Sequence, residues 1–250
     1  IISSFKIEAE NKINKSFLID VTSLFKSDVK AFGFPQSRRK SYKISSLDNK
    51  LSFIESQKSF PLNIEVRHIK TYKSSNSKNG QISMLLNNSI ILLPKVPMRK
   101  RYFDQRVGWI TSRQVDYGLD NQEAETIKYL RRWRLEVKKE DKEKFKQGEL
   151  VEPKNPIVFY IDPGTPIKWR KYIKQGIEDW QVAFEEAGFK NAILAKDPPT
   201  KEEDPDWSSE DIRYSVFRYL ASTTINANGG QVADPRSGDC LLYTSPSPRD

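Results

Sequence analysis

Very few side chains in this sequence can do nucleophilic, acid–base or metal chemistry. The 250 residues hold one histidine, His68, and one cysteine, Cys240. A single imidazole leaves no serine–histidine–aspartate arrangement with a choice of base and no histidine-rich metal site. One cysteine gives neither a disulfide framework nor a cysteine-based zinc site. His68 falls in the run Ile64-Glu65-Val66-Arg67-His68-Ile69, whose alternation is that of a strand, and without a second histidine it reads as a structural residue. The carboxylate pairs Glu178-Asp179 and Glu185-Glu186 fall on the polar face of a helix, where a salt-bridged surface explains them. Asp104 and Asp116, set among aromatics and arginines, read as ion-paired anchors. No catalysis is assigned to any of them.

Charge is the other feature with chemical consequences. Lysine and arginine number 42 against 33 acids, a net charge of +9. The densest clusters are Arg38-Arg39-Lys40, Arg99-Lys100-Arg101 and Arg131-Arg132-Trp133-Arg134. Nucleic-acid binding would need such clusters on one face, with aromatics or a groove-entering element. No such signature accompanies them, so a solvated basic surface and no nucleic-acid partner are expected. No run of about eighteen apolar residues exists, so no membrane span is expected. Apolar residues make up 37% of the chain, enough for a folded core. The chain opens at Ile1 without a signal-peptide pattern and reads as a fragment or a mature form.

The clearest element is the stretch from Pro156 to Gly188. Ile157-Val158-Phe159-Tyr160-Ile161 is a buried strand closed by the turn Asp162-Pro163-Gly164. Thr165 is placed to cap a helix and Pro166 to occupy its first turn. Trp169, Tyr172, Ile173, Ile177, Trp180, Ala183, Phe184 and Ala187 then recur at helical spacing, predicting one long amphipathic helix with both tryptophans on its buried face. Gly188 suits a left-handed C-terminal cap, with Phe189 folded back on the last turn.

Around that unit, residues 1–103 read as a β-rich N-terminal domain. Its strands are expected over 17–21, 52–54, 64–69, 82–86 and 89–93, with a helical turn at 22–25 and a polar hairpin loop at 73–80. Residues 104–153 read as a connector, with strands at 107–111 and 131–137 and a short helix at 122–129. Residues 154–239 read as an α/β unit: strand, helix, a strand at 191–195, a strand at 211–219, a loop at 221–230, the short extended piece Gln231-Val232-Ala233, and a tight turn at 234–238. The fold class is therefore α+β.

The last eleven residues, CLLYTSPSPRD at 240–250, resemble the translation of a transposase adapter used to build sequencing libraries. They are expected to be non-native. Asp239 would then stand where the natural chain has Asp or Glu, and the natural protein would continue past Gly238.

Several pieces together resemble a family of bacterial zinc-dependent metalloproteases, metzincin-like, that carry a large N-terminal domain. They are LPKVPMRKRYFDQRVGW, RRWRLE, the stretch from Pro156 to Ile193, WSSEDIRYSVFRYLAS and NGGQVADPRSG. The resemblance implies a β-rich domain followed by the first half, strand–helix–strand–strand, of a metzincin-like catalytic domain. It also implies hydrolysis of peptide bonds by zinc-activated water, in the periplasm, at the outer membrane or outside the cell. The zinc motif of that family, HExxHxxGxxH, is absent here. The chain as written is thus expected to bind no catalytic zinc and to cleave nothing, zinc belonging to the full-length protein. Gln231, Val232 and Ala233 are implied to form the rim strand along which a peptide or protein substrate pairs. An ordinary hairpin over 229–238 is the other reading of that segment, and a non-enzymatic protein- or glycan-binding module of the envelope is the alternative function. A half-built catalytic sheet would expose apolar surface, so poor solubility is expected.

Overall fold

β4 (Asn63–Ser74) is the middle strand of the first unit. The computed structural model describes residues 4–118, 120, 122–221 and 229–243. The chain is α+β and divides into two units, 1–92 and 93–250. The stretch expected as a connector, 104–153, lies inside the second.

In the first unit, β1 (Ile7–Asn11) and β2 (Ser16–Ile19) form an exposed antiparallel hairpin. Two short helices follow, α1 (Thr22–Lys26) and α2 (Gln36–Ser41). β3 (Ile44–Ser59), β4 and β5 (Gln81–Ile91) then make an antiparallel meander in the order β3-β4-β5. The loop read at 73–80 is the β4–β5 turn, closed by Gly80 at a φ of +69°. The two runs expected over 82–93 are one continuous strand, β5. Phe25, Val66 and Tyr72 supply the buried apolar side chains, while much of the rest of β4 that is buried is polar or charged.

The second unit opens with a hairpin of β6 (Thr111–Asp116) and β7 (Glu125–Leu130), followed by α3 (Lys142–Lys146). Its centre is a parallel sheet with β8 (Ile157–Ile161) between β9 (Ile193–Lys196) and β10 (Ser215–Phe217). α4 (Ile167–Glu178) and α5 (Gln181–Glu186) make the crossover from β8 to β9. Ile157, Phe159 and Ile161 alternate inward along β8 and pack on Ile177 and Ile193, with Trp133, Leu135, Ile173 and Phe184 around them. β11 (Gln231–Ala233) and β12 (Cys240–Tyr243) pair as an antiparallel ribbon. Among the described residues no helix is long and apolar enough to cross a membrane.

Several expectations are corrected by this arrangement. Residues 122–129 are not a helix: β7 occupies 125–130, because β6 supplies a partner for Thr126, Ile127 and the fully buried Tyr129. The strand expected at 107–111 starts only at Thr111, since Asp104 and Arg106 close a turn with Val107 N donating to Asp104 O. Residues 131–137 form isolated bridges rather than a strand, Arg132 to Asp239 and Val137 to Pro153. The strand expected at 211–219 shrinks to 215–217 because Asp211 holds a turn, accepting from Arg213 N.

The long helix is two. At its start Pro166 is the cap and Thr165 does not bond the first turn; Arg170 instead donates to the carbonyls of Thr165 and Pro163, at 2.9 and 2.8 Å. At the break, Gln181 turns inward, its Oε1 accepting from Ala192 N at 2.9 Å and its Nε2 donating to Phe189 O at 3.1 Å. Trp169 and Trp180 are 43% and 38% exposed, so Ile173, Ile177 and Phe184 carry the buried face in their place. The C-terminus follows the sequence reading. Gly188 sits at φ +92°, Gly188 N donates to Glu185 O, and Phe189 N reaches back to Phe184 O, each at 2.8 Å. A Cβ on Gly188 would lie 2.6 Å from the Phe145 ring, so this position needs glycine twice over.

Candidate functional site

Three residue pairs in the chain share one spacing, Asp-x-Arg: Asp104/Arg106, Asp211/Arg213 and Asp234/Arg236. In each, the aspartate Oδ1 accepts from the arginine backbone N–H, at 2.9, 3.0 and 2.8 Å. The Arg side chain then folds back, its Nη2 reaching Oδ2 at 2.5, 2.6 and 2.7 Å. The spacing makes this possible because the second residue after an aspartate can bond its carboxylate by both backbone and side chain. The Asp104 side chain is 46% exposed and works as a surface turn, whereas those of Asp211 and Asp234 are fully buried. Arg236 pulls Asp234 below the ordinary carboxylate range, against the effect of burial.

Asp234 belongs to the turn that follows β11. Its carbonyl accepts from Ser237 N and Gly238 N, and its N–H donates to Asp239 O at 2.8 Å. Gly238 has φ +77°, and a Cβ there would collide with the Leu130 carbonyl oxygen, so only glycine fits. The turn is held on the β6–β7 hairpin by Gln114 Nε2 and Tyr129 Oη, both donating to Pro235 O. Arg132 N donates to Gly238 O at 3.0 Å, and Cys240 N donates to Arg132 O at 2.9 Å. Arg134 Nη2 pairs with the buried Asp239 carboxylate at 2.8 Å. Burial is the larger influence on Asp239 and leaves its carboxyl above the usual range, with Arg134 opposing.

The same arginines reach to the start of the unit. Arg236, Arg132 and Arg134 donate through Nη2 to the carbonyls of Pro94, Arg99 and Val96, at 2.6, 2.9 and 3.1 Å. The segments 94–101, 131–136 and 229–239 therefore meet in one knot, and Arg132 and Arg134, expected on a solvated surface, are two of its ties.

Gln231, Val232 and Ala233 lie in β11, each half-buried. β12 takes one edge of this strand; among the described residues no strand takes the other. Beside it opens a cavity of about 400 Å³ lined by Gln231, Val232 and Ala233 and, across from them, by Ser112, Arg113, Gln114, Tyr129, Arg131 and Pro235. Sequence reasoning found the strand but not this wall. The usable signal was the alternation of 111–116 and 125–130 around a turn, which the charged neighbourhood obscured.

The remaining sequence candidates do not join the site. His68 is fully buried in the first unit, Nε2 on Asn88 Oδ1 at 2.6 Å and Phe25 edge-on at 5.8 Å. Cys240 is buried in the second unit, its thiol pushed up to about 11 by burial. Asp104 is ion-paired with Arg106, and Asp116 Oδ1 accepts from Gly118 N. Glu178 Oε1 accepts from Ala195 N at 3.2 Å, which ties α4 to β9. Among the described residues no group of three His, Cys, Asp or Glu side chains is placed to hold a metal ion. The chain's lone imidazole and buried neutral thiol do not fit a zinc ligand set. The loop expected at 221–230 and the tail at 240–250 fall largely outside the described residues, although Cys240 to Tyr243 pair with β11.

Residues 1–138 match the family described as Domain of unknown function (DUF5117). No curated protein and no solved structure matches the chain.

Proposed function

The chain belongs to the DUF5117 family, and from that premise we propose that its second unit is the leading part of a zinc-dependent metallopeptidase of the bacterial envelope or exterior. The first unit accompanies it as a β-rich partner domain. β11 lies along the substrate cleft and pairs with an extended peptide, backbone to backbone. The observation that carries the reading is β11 itself: a short strand with one edge without a strand among the described residues and a cavity alongside, its other edge being held here by β12 from the tail expected to be non-native.

The order of elements supports it. A strand, a helical crossover and a parallel strand are followed by β10 and then by this short strand, the succession that the resemblance to metzincin-like proteases implies. The knot of arginines supports it too, because an edge strand that receives a peptide must be held rigidly at its end. Gly238, Asp234 and Tyr129 fix that end within one turn of Ala233.

The zinc site is not among these residues, so no step of hydrolysis is assigned to them. The deciding experiment is to sequence the source gene across and beyond the codons for residues 238–250. A frame that continues into HExxHxxGxxH, with chelator-sensitive peptidase activity in the protein it encodes, is the expected result. A frame without that motif overturns the reading and leaves a binding module in its place.

A further inference from the structure

The cavity beside β11 carries a bias that backbone pairing does not use. Two of its lining residues bear guanidinium groups, Arg113 and Arg131, and none is acidic. The nearest buried carboxylates are already engaged, Asp234 by Arg236 and Asp239 by Arg134. Arg131 is half-buried, and its side chain makes one hydrogen bond among the described residues, Nε to Ser112 Oγ at 3.0 Å. That bond fixes the base of the guanidinium, and among the described residues no carboxylate pairs with its Nη fork. On the β11 side, Gln231 Oε1 is buried and among the described residues accepts from no donor, while its Nε2 makes a long contact at 3.5 Å with Sγ of Cys240, the first residue of the tail expected to be non-native. A buried acceptor without a donor is costly until one arrives.

We propose that this cavity receives an acidic side chain, glutamate or aspartate, of a peptide laid along β11. The proposal rests on the reading of β11 as a peptide-binding edge and adds the selectivity of that edge. The Arg131 fork takes the carboxylate in two parallel hydrogen bonds, a geometry that guanidinium matches and ammonium does not. Gln231 Oε1 accepts an N–H of the same peptide. Arg113, more exposed, adds positive potential at the mouth. A volume of about 400 Å³ admits a single side chain together with the backbone that carries it.

The test is fluorescence anisotropy with dye-labelled extended peptides that differ only in one central residue, glutamate, glutamine or lysine. The chain is titrated as it stands. The glutamate peptide is expected to bind about tenfold tighter than the glutamine peptide, with lysine weakest. The preference disappears in Arg131→Gln and falls severalfold in Arg131→Lys, which keeps the charge and loses the fork. Ser112→Ala, which frees the guanidinium without removing it, narrows the gap about twofold. Thermal melts show that each variant is folded, and Ser112→Ala keeps the proposal testable if Arg131→Gln is not.

A preference that survives in Arg131→Lys at full size assigns the effect to the net charge of +9 and overturns the proposal. So does an oligonucleotide that competes with the peptides through Arg131. Equal binding of all three peptides, abolished by Val232→Pro, removes the acidic selectivity and leaves the β11 edge standing. No binding by any peptide removes both.

Discussion

The two three-stranded sheets among the described residues are built on opposite principles, and their middle strands show it. β8 buries Ile157, Phe159 and Ile161 and nothing charged. β4 buries Asn63, Glu65, His68, Lys70, Thr71 and Ser74 alongside Val66 and Tyr72. Each of these polar side chains reaches a partner. Glu65 accepts from Asn63 Nδ2, Asn87 Nδ2 and Ser89 Oγ, each at 2.7 Å. Lys70 Nζ donates to Ser27 O at 2.7 Å, and Ser74 Oγ donates to Tyr42 O at 2.6 Å. Tyr72 Oη donates to Asp28 Oδ1 at 3.3 Å, and Arg39 pairs with Asp28 while lying over the Tyr72 ring at 4.9 Å. The parallel sheet is held by apolar contact, which degrades gradually with lost volume. The antiparallel sheet is held by a polar network, satisfied but for His68 Nδ1, in which removing one member strands the others.

The largest effect is expected in the apolar sheet. Phe159 is 2% exposed, with the Trp133 ring edge-on at 6.1 Å. Phe159→Ala should cost about 3–5 kcal/mol through lost transfer energy and a cavity, while Phe159→Leu should cost less than half of that. Hydrogen exchange of the β8 and β4 amides reads each sheet separately. Accelerated exchange confined to β8 and its neighbours is the expected pattern. Equal losses for both variants would show that β8 is not held by packing.

The contrast also explains what was legible from sequence. β8 and the helical crossover follow from periodicity alone, because an apolar strand and an amphipathic helix encode their burial in residue type. The tryptophans broke that rule: Trp169 and Trp180 fit the periodic stripe, yet α4 and α5 present narrower residues to β8. β4 reads as a strand, but nothing in Lys70 or Glu65 announces burial, since their partners lie on other elements. The candidate site divides in the same way. β11 and the tight turn after it were visible, whereas Tyr129 and Arg131 were not, because a β6–β7 hairpin is fixed by pairing across a turn. The Asp-x-Arg spacing was legible in principle, being local, and only burial separates the structural pairs from the exposed one at Asp104.

A smaller effect, with the opposite signature, is expected in the polar sheet. Glu65→Leu keeps the volume roughly and leaves two amides and a hydroxyl without their acceptor. The expected cost is about 2–3 kcal/mol. Glu65→Gln restores one acceptor and sets its own amide against a donor, so it should still cost about 1–2 kcal/mol. In the apolar sheet a substitution that preserves volume is mild; here it is not. Urea unfolding followed by exchange at β4 measures it. A mild Glu65→Leu would mean that the network contributes no more than packing does.

The smallest effect depends on pH and belongs to His68. Its Nε2–H donates to Asn88 Oδ1, and Nδ1 is buried with no partner, so the ring is held neutral. Burial lowers its pKa below the ordinary value, Asn88 opposes, and the nearby Lys70 charge lowers it further. The unfolded chain takes up a proton near pH 6.5, and the folded chain does so only at lower pH. Between those two values the unfolded state binds more protons, so stability falls as pH drops below about 6.5 and levels off once the folded ring is protonated. One group can contribute at most about 1.4 kcal/mol per pH unit in that window. His68→Gln places an amide nitrogen where Nε2 was and keeps the bond to Asn88, but cannot titrate. Its melting temperature near pH 7 should lie close to that of the parent, and its decline between pH 7 and 5 should be shallower. The Asp and Glu side chains titrate in both proteins, so the difference between the two curves isolates the imidazole. Parallel curves would mean that the ring takes up its proton at the same pH in the folded and unfolded chains, so that burial does not hold it neutral, whereas a steeper decline for His68→Gln than for the parent would mean a ring protonated in the fold.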